Sequence, residues 1–297
     1  MSAAQWTSLM PNDLLARLER LRINPQKRKT NRTQGEHLSG KGGTSIEFSD
    51  YRDYVAGDDL RYVDWNVFSR LNQPYLKLYA HEEEMQVPIL LDASTSMNFE
   101  GKFDLARQIA AAFGMAGLTS VEKVSVYSCA QVGQAPAIFP GTRGRAAVKR
   151  FMAFLEGLQP GGAFPIDAAI EDVLQRRRGR GVAVVISDFL TFGDVGKAFN
   201  KLHGSGLEVF AIQILAPSER NPEMSGDFRF VDSESGQTLD ISSVGELVSL
   251  YQAHRQALED HLAGECQKRN GRFLSLTSDQ PIRSVVFDEL VRKGWLK

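Results

Sequence analysis

The sequence predicts a doubly wound α/β fold, in which a mostly parallel sheet has helices on both faces and follows an N-terminal extension. From Gln86 to about Thr277, short apolar runs alternate with amphipathic stretches, which is the pattern of successive strand and helix units. Two of these runs, VPILLDAS and VAVVISDF, are continuously apolar before an aspartate, as expected of strands buried on both faces. We therefore predict an α/β domain over residues 85–297, with residues 1–84 as an extension packed on its core.

Hydrophobic spacing predicts the remaining elements in order. Leucines at helical spacing predict a short amphipathic helix from Asn12 to Arg22. Alternating or β-branched runs predict strands at KVSVYSCA, LEVFAIQIL and GRFLSLT, and FRFVDSESGQTLDIS predicts a hairpin that turns at Ser235-Gly236. Further helices are predicted after the DASTS loop, from about Arg145 to Leu158, over IDAAIEDVLQRRR, from about Gly193 to His203, from Val244 to about Arg269, and up to about Trp295.

Composition excludes several classes of function. The chain has 35 basic and 36 acidic side chains, so no global charge indicates nucleic acid or an anionic membrane surface as the partner. Its two cysteines, Cys129 and Cys266, lack CxxC spacing and are interpreted as reduced thiols. Without a signal peptide or a long apolar run, we expect a cytoplasmic protein with no membrane insertion. The basic segment 26–41 is interpreted as a solvated connector, with partner contact as the alternative.

The two aspartate-ended strands place polar side chains at one edge of the predicted sheet, where ligands of such folds bind. Asp92, Ser94 and Ser96 are spaced i, i+2, i+4 in one turn, so their oxygens can point at a common centre. Hard oxygen ligands of this kind suit Mg²⁺, and Asp188 would add a carboxylate through water. The alternative for Asp92 is a strand-end aspartate that caps the following turn.

Two motifs around these residues resemble known families. ILLDASTSM resembles the DxSxS element of the metal-ion-dependent adhesion site of von Willebrand factor A domains, and VVISDF resembles the loop with its distal aspartate. The block YRDYVAGDDLRYVDWNVFSR, followed by LKLYAHEEEMQVPILLDASTSM, resembles the bacterial DUF58 family with its R-x-Y-x-x-G-D-x-x-R-x-x-D-W signature. The resemblance covers about Ser45 to Leu215 and implies a von Willebrand factor A-like fold. It also implies a partner, since members of that family are typically associated with MoxR-type AAA+ ATPases.

The chain departs from the adhesion-site pattern at one position. That pattern usually carries a threonine, a direct metal ligand, in the loop between the second and third helices. This chain has Gly161, Gly162, Ala163, Phe164 and Pro165 there, with no hydroxyl. Losing one neutral oxygen weakens Mg²⁺ binding, because this metal tolerates poor geometry badly. Thr191 or a water can substitute, and a metal-free binding face is the alternative.

The DUF58-like signature supplies a second group of candidates. Asp58, Arg61 and Asp64 are candidates for a partner-binding surface, and the alternative is an internal ion-paired motif that fixes conformation. The aromatic residues of the block are expected to pack rather than to recognise a ligand, because aromatic side chains bury large areas. They are Tyr51, Tyr54, Tyr62 and Trp65.

Two classes of function remain open. The first is a non-enzymatic interaction module that binds a protein partner through the face carrying Asp92 and Asp188. The second is a Mg²⁺-dependent phosphotransfer or hydrolytic enzyme with Asp92 as nucleophile. Against the enzyme, the DASTS loop lacks a DxD aspartate and no lysine is expected where a phosphoryl group would need a positive clamp. Nucleotide-binding loops and a GxSxG elbow are also missing from the sequence.

Overall fold

The computed structural model describes residues 5–26, 46–81, 85–129, 136–162, 166–176, 179–190, 193–222, 228–231, 238–241 and 244–297. The chain divides into two compact units. The main unit comprises Met1–Gln26 and Met85–Lys297, and the second unit comprises Lys27–Glu84. Three predictions fall outside the described residues: those on the basic segment beyond residue 26, on the turn at Ser235-Gly236 and on Thr191.

The predicted α/β sheet is confirmed in the main unit. Its six strands are β3 (Gln86–Asp92), β4 (Lys123–Cys129), β5 (Ala137–Thr142), β6 (Gly181–Ser187), β7 (Leu207–Leu215) and β10 (Arg272–Thr277). They lie in the order β10-β7-β6-β3-β4-β5. Every neighbouring pair is parallel except β4 and β5, which are antiparallel. The edge strand β5 is not predicted from the sequence, because AIFPGT carries a proline and a glycine.

Helices cover both faces of this sheet, as predicted. They are α1 (Asn12–Leu18), α3 (Lys102–Thr119), α4 (Val148–Gly157), α5 (Ile166–Arg176), α6 (Val195–Gly204), the one-turn α7 (Pro217–Arg220), α8 (Val244–Gln267) and α9 (Ile282–Ser284), which continues as a π-helix over Val285–Val291. The short strands β8 (Phe228–Val231) and β9 (Thr238–Ile241) form a separate antiparallel pair, in agreement with the predicted hairpin.

Alternation along the central strands builds a core on each side of the sheet. On β3, Ile89 and Leu91 join the cluster that contains α1, α3 and α4, whereas Leu90 joins the cluster that contains α5, α6 and α8. Successive side chains of a strand point to opposite faces, so a continuously apolar strand supplies both cores at once. The apolar run VPILL therefore forms a strand that is buried on both faces, as predicted.

The first helix belongs with the main unit rather than with an extension ending at residue 84. Leu14, Leu15 and Leu18 of α1 are buried in the same cluster as α3. Further along, Arg22 exchanges two backbone hydrogen bonds with Lys297, at 2.8 and 2.9 Å. The sequence shows the apolar face of this helix but not the surface that it covers. The two units do divide between Glu84 and Met85, but Met1–Gln26 belong to the main unit and not to the extension predicted for residues 1–84.

The second unit has its own small fold. Strands β1 (Ile46–Asp53) and β2 (Tyr75–His81) pair antiparallel, with a bulge between Phe48 and Asp50. Helix α2 (Trp65–Leu71) lies between them in sequence. No element is predicted here from the sequence, because the region is dense in aromatic residues and in charges of both signs. The alternation of Leu76 and Leu78 with Lys77 in β2 is a strand signal that this mixture conceals. Its predicted packing on the core stays a prediction.

Candidate functional site

The candidate site lies at the point in the sheet where the order of the strands reverses. Strand β3 lies between β4 and β6, and the chain proceeds outward from β3 to one edge before it returns through β6 to the other. Ligands of open α/β sheets bind in the crevice at such a switch point, outside the carboxyl ends of the strands. Asp92 ends β3 and Asp188 follows β6 directly. The two predicted carboxylates are therefore neighbours at that crevice.

The DASTS loop is held by its own polar side chains. Asp92 Oδ1 accepts a hydrogen bond of 2.8 Å from the backbone N–H of Ser94, so the capping role considered for Asp92 is present. The hydroxyl oxygens of Ser94 and Ser96 are 3.0 Å apart. Thr95 contacts Gly162 through three hydrogen bonds, one of them a 2.7 Å bond between their backbones. The loop that lacks the adhesion-site threonine is thus tied to the DASTS loop by Thr95.

The carboxyl group of Asp92 lies in an unfavourable environment for a negative charge. Burial and the negative charge of Asp188 raise its pKa to about 6, although hydrogen bonds from Ser187 and Ser94 act in the opposite direction. The Ser187 hydroxyl donates to Asp92 Oδ2 at 2.5 Å and accepts from the backbone N–H of Phe189 at 2.9 Å. The site therefore keeps a carboxylate whose ionisation is costly, as functional sites often do.

The backbone after β6 is also strained. Phe189 has a φ of 58°, in the left-handed region that a bulky residue rarely adopts. Its buried ring packs edge-on against Phe199, with 6.2 Å between ring centroids. Such strain costs about 1–3 kcal/mol and tends to occur where a loop has to hold a particular geometry. Here the left-handed conformation of Phe189 turns the backbone away from the direction of β6 immediately after Asp188.

Lys102, the first residue of α3, is the site residue that sequence analysis misses. Its side chain is 0% exposed, and its ammonium donates to Asp188 Oδ2 at 3.0 Å and to Glu219 Oε1 at 2.7 Å. The expectation that no lysine lies at this face is therefore wrong. Burial alone lowers the pKa of Lys102, but the charges of Asp188 and Glu219 outweigh it, and the net shift of this pKa is upward.

Both carboxylates that hold Lys102 are fixed by further hydrogen bonds. Asp188 Oδ1 accepts from the backbone N–H of Leu190 at 3.0 Å, and the Asp188 carbonyl accepts from the side chain of Gln213 at 3.2 Å. Glu219, in α7, accepts from the backbone N–H of Ala216 at 2.7 Å through Oε2. A buried ammonium that lies between two anchored carboxylates joins the ends of β6 and β7 to the start of α3.

The predicted metal ligands suit a divalent ion in part. In octahedral coordination with Mg–O distances of about 2.0–2.1 Å, adjacent ligand oxygens are about 2.9 Å apart. The 3.0 Å separation of the Ser94 and Ser96 hydroxyls matches that spacing, and the Asp92 carboxylate lies in the same loop. Asp188 fits less well, because its carboxylate already has Lys102 as a direct partner. Within the described ranges, no three His, Cys, Asp or Glu side chains converge as a metal-binding group.

In the second unit, the carboxylates of the signature make local contacts. Asp58 pairs with Arg52 through two hydrogen bonds, of 2.6 and 2.8 Å. Asp64 caps α2 by accepting from two backbone amides and pairs with Lys77 at 3.1 Å. Burial raises the pKa of Asp64, but the hydrogen bonds from Lys77, Tyr51 and the backbone outweigh it and lower the pKa to about 2. These contacts match the conformation-fixing alternative, and a partner-binding role stays a prediction.

The remaining residues of that block lie at the surface. Arg61 is exposed and pairs with Asp59. Trp65 is 58% exposed and touches Phe68 edge-on, and Tyr51 is exposed as well. The expectation that the aromatic residues pack holds for Tyr51 in part, since its ring packs edge-on against Tyr75 with 6.3 Å between centroids. Trp65 is largely exposed, because it lies on a helix that buries no residue fully. Tyr54 and Tyr62 are half-buried, in closer agreement with that expectation.

The six-stranded, mostly parallel sheet and its switch point define the class of fold: a doubly wound α/β protein, in agreement with the predicted von Willebrand factor A-like fold. The chain belongs to the family described as "Protein of unknown function DUF58", whose sequence profile matches residues 50–261. Uncharacterized proteins of Mycobacterium tuberculosis and Mycobacterium bovis are each 29% identical to it over 241 residues, which is 77% of this chain and 74% of the relative.

Two solved structures are similar to part of the chain at low sequence identity. BatB from Bacteroides thetaiotaomicron has 15% identity and a TM-score of 0.42, covering 70% of this chain and 98% of its own. Proximal thread matrix protein 1 from the mussel byssus, in a form described as having a zinc-occupied MIDAS motif, has 12% identity and a TM-score of 0.40, covering 72% of this chain and 46% of its own. None of the helices within the described residues has the length and apolarity needed to cross a bilayer.

Proposed function

We propose that the protein is a non-enzymatic interaction module that binds a protein partner through the face formed by Asp92, Ser94 and Ser96. The observation that supports this most directly is the position of a costly carboxylate beside two hydroxyls at the switch point of the sheet. Carboxylate and hydroxyl oxygens can accept hydrogen bonds from a partner or share a cation with it. Mg²⁺ is the cation that these oxygens suit best.

The partner that we propose is a MoxR-type AAA+ ATPase, acting with this protein in the assembly or maturation of other proteins. The basis is membership of the DUF58 family, because the resemblance described above implies a partner of this class. An ATPase partner requires a nucleotide pool, so the proposal also places the protein in the cytoplasm. No catalytic step of this chain's own is needed for that role.

Capture of a purified MoxR-type ATPase from the same organism tests this proposal. Immobilised wild-type protein and Asp92→Ala are compared, with and without Mg²⁺. Asp260→Asn is the matched control, because Asp260 is an exposed carboxylate on α8 that accepts a local hydrogen bond from Gln256. We expect capture by wild type and Asp260→Asn, and a loss of at least about tenfold for Asp92→Ala. Equal capture by all three would show that binding does not use this face.

One observation favours a second candidate, a phosphotransfer or hydrolytic enzyme. Lys102 is a cation at the same crevice as Asp92 and Asp188, where a phosphoryl group would need a positive charge. Its ammonium is nevertheless fully buried and already bound to two carboxylates, which weighs against a role in holding substrate. Hydrolysis of a generic phosphomonoester by wild type that disappears in Asp92→Asn would favour the enzyme.

A further inference from the structure

The charge balance beside Asp92 includes a cation that the protein supplies itself. A buried lysine is costly to desolvate and persists only where it is paired. Lys102 has two carboxylate partners, at 3.0 Å (Asp188) and 2.7 Å (Glu219). Its side chain is 0% exposed and that of Asp188 is 1% exposed. Because this group of one cation and two anions is largely buried, water screens its interactions little.

This arrangement occupies the carboxylate that a divalent ion would otherwise use from β6. Asp188 has Lys102 on one carboxylate oxygen and the Leu190 amide on the other. Glu219 is likewise held on its second oxygen by the Ala216 amide. Neither carboxylate can turn toward a metal at the DASTS loop without breaking a buried ion pair.

We propose that Lys102 is the resident cation of this site, so that the face carrying Asp92, Ser94 and Ser96 keeps its structure without a divalent ion and binds such ions only weakly. Lys102 acts through Asp188 and Glu219, and is therefore a positioning residue for the face rather than a contact for the partner. Only one consequence rests on the proposed function, namely that capture of the partner does not require added metal.

The test compares chelator-treated full-length wild type with Lys102→Met, by thermal melting and by calorimetric titration with Mn²⁺ and Mg²⁺. Lys201→Met is the control, because Lys201 pairs with Glu171 on the surface of the same unit. We expect either metal to shift the wild-type midpoint by less than about 2 °C. Lys102→Met should melt about 10 °C lower in chelator, because two buried carboxylates lose their counter-charge. It should recover with Mn²⁺ and bind that ion at least about tenfold more tightly than wild type.

A second variant covers the case in which Lys102→Met does not fold. In Lys102→Met combined with Asp188→Asn, one charge of each sign is removed, so the midpoint should lie closer to that of wild type and the gain in Mn²⁺ affinity should be absent. Wild type that melts several degrees higher with Mg²⁺, or Lys102→Met that binds Mn²⁺ no more tightly than wild type, would overturn the proposal. These measurements contain no partner protein. The proposal about Lys102 can therefore fail while the proposed interaction function stands, and the interaction function can fail while the proposal about Lys102 stands.

Discussion

Replacing Asp92 with asparagine should make the isolated protein more stable at neutral pH. The pKa of Asp92 is raised from 3.8 to about 6 in the folded protein, so the folded state holds the proton more tightly than the unfolded state. The contribution of this group to stability is therefore most favourable below pH 4, decreases as the pH rises to about 6 and stays low above it. At about 1.4 kcal/mol per pKa unit, the ionised carboxylate costs roughly 2–3 kcal/mol at pH 8.

Asparagine removes this cost with little change of contacts. Its carbonyl can accept from the Ser94 amide as Asp92 Oδ1 does, and its NH₂ can donate to the Ser187 hydroxyl in place of accepting from it. Urea unfolding at pH 4, 6 and 8, followed by circular dichroism, should show an advantage of Asp92→Asn that is small at pH 4 and grows to about 2 kcal/mol at pH 8. A variant less stable than wild type at pH 8, or an advantage independent of pH, would refute the reasoning.

Three further predictions concern packing, thiol reactivity and helix capping. Gly114→Ala should lower the free energy of unfolding of the main unit by about 1–3 kcal/mol in urea, because the added Cβ would lie 2.0 Å from the buried ring of Phe151. Gly157→Ala is the control and should be nearly neutral, because a Cβ at that position meets open space. Burial raises the pKa of Cys266 to about 12, so this thiol should react with iodoacetamide only after unfolding. The rate is measured in a variant that lacks the other cysteine, and reaction at the rate of an exposed thiol would contradict the burial of Cys266. Asp64→Ala should increase hydrogen exchange at the two amides that begin α2, and unchanged protection there would show that the cap is dispensable.

The sequence determines the layers of this fold more clearly than its order of strands. Continuous apolar runs such as VPILLDAS identify strands that supply two cores, and the helices follow from 3.6-residue spacing. The order of the strands in the sheet depends on packing between distant segments. The sequence therefore does not show that Asp92 and Asp188 are neighbours, and the structure does. In the second unit, β1 carries charged and aromatic residues around a bulge and shows no regular period, so the antiparallel pair is not predicted although β2 alternates apolar and polar residues.

Half of the candidate site is predictable, because the DASTS loop and the aspartate after β6 stand out as polar residues at the ends of apolar strands. Lys102 is not predicted, although its position in the sequence carries a signal. It lies four and seven residues before Ala106 and Ile109, both buried, so it occupies the core-facing stripe of α3. A lysine in that stripe indicates a buried ion pair. Its partner Glu219 comes from a one-turn helix after β7, which no periodicity marks.

The hydrogen bonds between Arg22 and Lys297 have a consequence for how the chain folds during synthesis. Ile23 forms an isolated β-bridge with Leu296, so the first segment of the main unit completes its backbone pairing with residues near the other end of the chain. Contacts of such long sequence separation form late and slowly, since the intervening loop must close first. On the ribosome, the apolar face of α1 can be covered only after α3, which it contacts in the folded protein, has emerged. Until then that face is exposed apolar surface, of the kind that chaperones bind during synthesis.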